Sequence, residues 1–136
     1  MKKKKLGIKK SAQKELFDIK EVIIQRVQNL ENNSLDIFFK IDMTPTHVQI
    51  NKKSYISIID NLLLNAVNCT HKGGSVNIFY DNYEDTLYIK DSGKGFPNEG
   101  EGIDLYIVKK LCTELDIDFG VKSELGIGST SSLTLR

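Results

Sequence analysis

Asn61 and Asn65 stand four residues apart in a run that is otherwise apolar on a helical period: Ile58, Ile59, Leu62, Leu63, Leu64, Ala66 and Val67. The pattern predicts a helix from about Lys53 to Cys69, closed by Gly73 and Gly74. Residues spaced by four share a helix face, so the two carboxamides stack one turn apart. Burying them among aliphatic side chains is unfavourable unless polar groups lie against them. A carboxamide oxygen is a hard, neutral ligand that suits Mg²⁺, a cation that usually arrives already bound to phosphates. This helix needs a polar partner, and two glycine-rich segments later in the chain supply one.

The remaining periodicities surround that helix with a small mixed fold. Leu16, Ile19, Ile23, Ile24, Val27 and Leu30 predict an amphipathic first helix over residues 15–32. A β-like run covers Leu35–Ile41, and after the Pro45 turn a short strand covers His47–Ile50. Ser75–Tyr80 and Thr86–Lys90 read as an antiparallel hairpin across the polar turn 81–85. A third helix is expected from Ile103 to about Glu114. A second hairpin, Ile117–Lys122 with Ser129–Leu135, turns around Gly126 and Gly128. The expected class is α+β: a two-layer sandwich with a mixed, mostly antiparallel sheet of about five strands, covered on one face by three helices.

Length and charge narrow the function classes. A chain of 136 residues is one domain with room for a real core. Residues 15–136 are expected to form it, and residues 1–14 a lysine-rich tail, read as an electrostatic arm, a solvated end or the junction to a further helical domain. The net charge of +1 gives no whole-molecule field directed at nucleic acid or an anionic membrane. Two cysteines do not make a secreted disulfide framework, and no apolar run reaches membrane-spanning length. A cytoplasmic domain is expected, with anchoring of a longer parent protein left open.

Two motifs carry chemistry. Asp91 leaves a strand into Ser92-Gly93-Lys94-Gly95, where a carboxylate can accept a hydrogen bond from a purine amino group as glycine backbone passes close by. Gly100-Glu101-Gly102 precedes the third helix, and exposed N–H groups at such a helix start cradle phosphate. Neither motif is specific alone. Their order is: paired-Asn helix, strand with D-x-G-x-G, short loop, G-x-G with helix. His47, His71, the Tyr80/Tyr83/Tyr88 group and the two cysteines are better explained as surface or packing residues than as ligands.

Taken together, these segments resemble the catalytic ATP-binding domain of sensor histidine kinases, within the superfamily of gyrase, heat-shock chaperone and mismatch-repair ATPases. N-L-L-L-N-A at 61–66 resembles the N box, D-S-G-K-G-F at 91–96 the first glycine box and G-E-G-I-D-L-Y-I-V-K-K-L at 100–111 the second. G-I-G-S-T at 126–130 is similar to the terminal glycine–hydroxyl strand, and the match runs from about Phe17 onward. The resemblance implies that Asn65 ligates Mg²⁺ and that Asn61 lies beside the metal and phosphates. It implies that Asp91 holds the adenine amino group with Ser129 sharing the contact through water. Gly93 and Gly95 would admit the nucleotide to the backbone, and Gly100 and Gly102 would cradle the triphosphate.

The implied activity is that of a protein-histidine kinase, its cofactors being ATP and Mg²⁺. Its partners would be a histidine-bearing helical dimerisation domain, which this chain lacks, and a response regulator. Superfamily members that hydrolyse ATP place a glutamate at position 61; an amide cannot take a proton at neutral pH, so Asn61 points to phosphoryl transfer instead. Four positions depart from the family pattern. Asp104 replaces a third glycine of the second box, and only Phe96–Glu99 separate Gly95 from Gly100. Asn68 and Cys69 stand in place of a basic and an aromatic residue, and Ser131 in place of an aromatic one. These departures favour the alternative, a degenerate nucleotide-sensing or interaction module without phosphotransfer. A stand-alone anti-sigma-type protein kinase is a third reading, against which Asn61 speaks.

Overall fold

A computed structural model describes residues 13–31, 36–93 and 105–135. Its elements are β1 (Glu15–Asp18), α1 (Ile19–Glu31), β2 (Phe38–Asp42), β3 (His47–Ile50), α2 (Lys52–Cys69), β4 (Ser75–Asp81), β5 (Thr86–Asp91), α3 (Tyr106–Leu115), β6 (Ile117–Glu124) and β7 (Gly128–Leu135). The main sheet has the order β2-β4-β5-β7-β6, and β1 and β3 form a separate antiparallel pair. The expected α+β sandwich is what the chain adopts. No helix among the described residues is long and apolar enough to cross a membrane.

One pairing in the main sheet, β2 with β4, is parallel. Parallel neighbours need a long crossover, and residues 43–74, including β3 and α2, provide it. That crossover lays α2 on the sheet, where it contacts β5 and β7 while α1 packs on α2 and α3 on β6. The strands alternate accordingly. Val76 and Ile78 of β4, Leu87 and Ile89 of β5 and Leu133 of β7 are buried, and they meet Ile58, Ile59, Leu62 and Leu63 of α2 in one apolar cluster. On the opposite sheet face Phe79 and Tyr88 stack, with ring centroids 5.0 Å apart, while Tyr83 is fully exposed.

Helix ends follow local chemistry. Asn51 caps α2, its side chain accepting from the Ser54 N–H at 2.9 Å. Asp116 closes α3 in the left-handed region at φ 62°. The first helix departs from the sequence expectation, because Glu15–Asp18 is a strand paired with β3 and α1 begins only at Ile19. Asp18 is the cause. Its Oδ1 accepts the Lys20 N–H at 3.0 Å, an N-cap bond, and also the Thr46 N–H at 2.8 Å. The Ile19 N–H donates to the Thr46 carbonyl at 2.7 Å, fastening the helix start to the segment before β3. Between helices, the Arg26 guanidinium on α1 grips both carboxylate oxygens of Asp60 on α2 at 2.8 Å.

Two tests follow from this packing. Asp18→Ala removes the cap and orphans the Thr46 N–H, and should cost about 1–2 kcal/mol in urea unfolding; an unchanged midpoint would contradict the assigned cap. Burial pushes the Cys112 thiol from 9.0 up to about 11, and burial with Asp85 pushes Tyr80 from 10.0 up to about 12. Both folded values are raised, so the Cys112 contribution is whole below pH 9.0 and is lost as pH rises through about 11, and that of Tyr80 is whole below pH 10.0 and is lost through about 12. Unfolding midpoints should be level from pH 7 to 8 and fall above roughly pH 9; a midpoint that stays flat up to pH 11 would remove the effect.

Candidate nucleotide-binding site

The last residue of β5 is a buried carboxylate. Asp91 is 4% exposed and lies opposite Ser129 across the β5–β7 pair. Its Oδ1 accepts the Gly93 N–H at 2.9 Å and the Ser129 N–H at 3.2 Å, and its Oδ2 accepts the Ser129 hydroxyl at 2.6 Å. A buried charge without such partners would be strongly destabilising. A carboxylate offers about four lone-pair sites, so the three donors among the described residues leave one, on Oδ2. The spacing of strand and glycine turn thus produces an acceptor held rigidly, with three of its four positions filled by described residues.

Glycines are required here by contact. A Cβ on Gly93 would overlap the Cys69 carbonyl oxygen at the end of α2, and one on Gly128 would overlap the Asp91 carbonyl oxygen. Gly128 also sits at φ +145°, outside the range ordinary residues adopt. The β5 end, the α2 end and the β7 start therefore approach one another as backbone. Beside them opens a cavity of about 670 Å³ whose lining includes Asp91, Ser129, Val121, Ser123 and Ile127, within the size range of small-molecule sites. Gly128, Val121 and Ser123 are not among the site residues expected from the sequence. The G-x-G before Ser129 was the available sign of the first; β6 carried none.

Asn65 is 4% exposed on the buried side of α2, and the Cys69 thiol lies 4.0 Å from its Oδ1. Asn61 is half-buried one turn earlier and donates its Nδ2 to the Ser57 carbonyl at 2.7 Å. Neither asparagine lines the cavity beside Asp91; the contact between Cys69 and Gly93 connects the two halves of the site. Among the described residues no group of three or more His, Cys, Asp or Glu could hold a metal alone. One neutral amide oxygen is a donor set that fits a cation delivered on phosphates, with phosphate and water oxygens completing its shell. The Lys72 ammonium, just after α2, lies 3.4 Å from Asp36, and His71 is exposed. Gly95, Gly100, Gly102, Lys94, Asp104 and the short segment 96–99 lie outside the described residues.

Residues 50–136 match the family described as histidine kinase-, DNA gyrase B-, and HSP90-like ATPase. The chain belongs to that family. Histidine protein kinase SaeS of Staphylococcus epidermidis is 25% identical over 90% of this chain and 43% of its own length. The chain therefore spans less than half of that relative. The solved mycobacterial sensor histidine kinase MprB shares the fold with a TM-score of 0.80 at 22% identity, over 90% of this chain and 97% of that one. The catalytic domain of histidine kinase ThkA does so with a TM-score of 0.79 at 18% identity, over 90% and 96%. Asp91, Gly93 and Ser129 all lie within the residues that match the family.

Gly93→Ala tests the close approach. The added methyl meets backbone, which cannot rotate away, and should cost about 1–3 kcal/mol in thermal unfolding; a wild-type midpoint would show that the loop does not press on α2.

Proposed function

We propose that the domain binds Mg·ATP and presents its γ-phosphoryl group to a histidine on a separate helical dimerisation domain, from which a response regulator then receives it. The observation that carries this reading is the Asp91 carboxylate, held by Gly93 and Ser129 beside an open cavity, with one acceptor position unspent among the described residues. A donor on a flat heterocycle, such as the adenine amino group, completes that set. An oxo group in the same place would put two acceptors against each other. Ser129 fixes the carboxylate from the neighbouring strand. The roles of Gly95, Gly100 and Gly102 toward backbone and triphosphate rest on the family resemblance.

At the phosphate end Asn65 would supply an oxygen ligand to Mg²⁺, with Asn61 one turn away. The cation, when bound, neutralises phosphate charge and orients the transferred group. The work of the protein is positioning: it brings no covalent nucleophile of its own. Asn61 has its nitrogen committed to the Ser57 carbonyl and no basic atom to offer water, which keeps the nucleotide for transfer. Residues 1–14 would form the junction to the histidine-bearing helices.

Calorimetric titration with a non-hydrolysable ATP analogue, with and without Mg²⁺, tests the reading. Binding is expected, tighter with Mg²⁺, and Asp91→Asn should weaken it at least about tenfold, the equivalent of one charged hydrogen bond. Absence of binding at millimolar nucleotide would overturn it. Binding without phosphorylation of a supplied histidine domain would leave the alternative, a nucleotide-sensing module.

A further inference from the structure

We infer that Cys69 is a positioning residue for Asn65, joining the metal-side amide to the base-side carboxylate. This rests on the Mg·ATP reading above and adds a residue to it. Cys69 follows Asn65 by one helical turn, so both project from the same face of α2. It is 7% exposed, and its thiol donates toward Asn65 Oδ1 over 4.0 Å. That oxygen has two lone pairs. With one directed at the thiol, the carboxamide keeps its oxygen, rather than its NH₂ group, on that side, and the second lone pair remains for a cation.

The main chain of the same residue serves the other half of the site. Its carbonyl is the atom against which Gly93 packs, and Gly93 donates its N–H to Asp91 Oδ1 at 2.9 Å. One residue therefore touches the amide through its side chain and the carboxylate's loop through its backbone. The cysteine at position 69 supplies a side-chain donor where the family pattern has an aromatic residue.

The experiment measures analogue affinity with and without Mg²⁺ for wild type, Cys69→Ala and Cys69→Ser in the full chain, alongside thermal midpoints. Partners that orient metal ligands are worth about 10–100-fold in metal affinity; for a weak thiol donor the Mg²⁺-dependent gain should fall about three- to tenfold in Cys69→Ala. Affinity without Mg²⁺ should stay at the wild-type value, and Cys69→Ser, which retains a donor, should recover most of the gain. A merely structural cysteine would lower both affinities and the midpoint together, which overturns the inference. So does a Cys69→Ala variant with the full Mg²⁺ gain, or a serine variant no better than alanine. If wild type shows no Mg²⁺ gain, the metal assignment of Asn65 falls first and this inference with it.

Discussion

The structure depends on the burial of α2 against β5 and β7. Ile58, Ile59, Leu62 and Leu63 are each at most 1% exposed, so one helix face carries a large part of the apolar area withdrawn from water. Because the parallel β2–β4 pairing forces a crossover, α2 is the element that must span the sheet. Its end then lies at the end of β5. Asn65 is buried on this helix and the Cys69 carbonyl meets Gly93 from it. The ion pair from Arg26 to Asp60, the residue before Asn61, further ties the helix to α1. Packing fixes where the polar groups sit; hydrogen bonds then fix how they point.

Asp91 shows the second step. Its three protein donors come from its own turn and from β7, elements already placed by strand register. The carboxylate is therefore oriented before any ligand arrives, and binding need not include the ordering of a loose charged side chain. The residues that surround it, Ser129 and Gly93 above all, act through geometry and have no chemistry to perform themselves.

Much of this was legible in the residues. Both hairpins, the long central helix and the paired asparagines announced themselves through period and spacing, because each is a local pattern. The acceptor at Asp91 was legible through the strand and glycine turn that hold it. What stayed hidden was non-local. Glu15–Asp18 carries apolar residues at positions compatible with helix, and only the Thr46 backbone, far along the chain, makes Asp18 a cap and β1 a strand. The parallel partner of β2 could not be read, since an isolated run has no direction of pairing. The need for glycine at 128 comes from the Asp91 carbonyl packed against it, a contact between strands that no local spacing encodes. The wall contributed by Val121 and Ser123 exists only because β6 lies beside β7.

The strand order has a consequence for how such a site comes into being. β7 is the last of the described elements to be synthesised, yet it lies inside the sheet, with β5 on one side and β6 on the other. Without it, β6 has no strand partner in the main sheet, and Asp91 lacks two of its three donors among the described residues. β7 also brings Leu133 into the apolar cluster, so the same strand completes both the core and the carboxylate's partners. Among the described residues, the donors on Asp91 are thus complete only once β7 is in place, so the buried carboxylate depends on the strand made after all the others described.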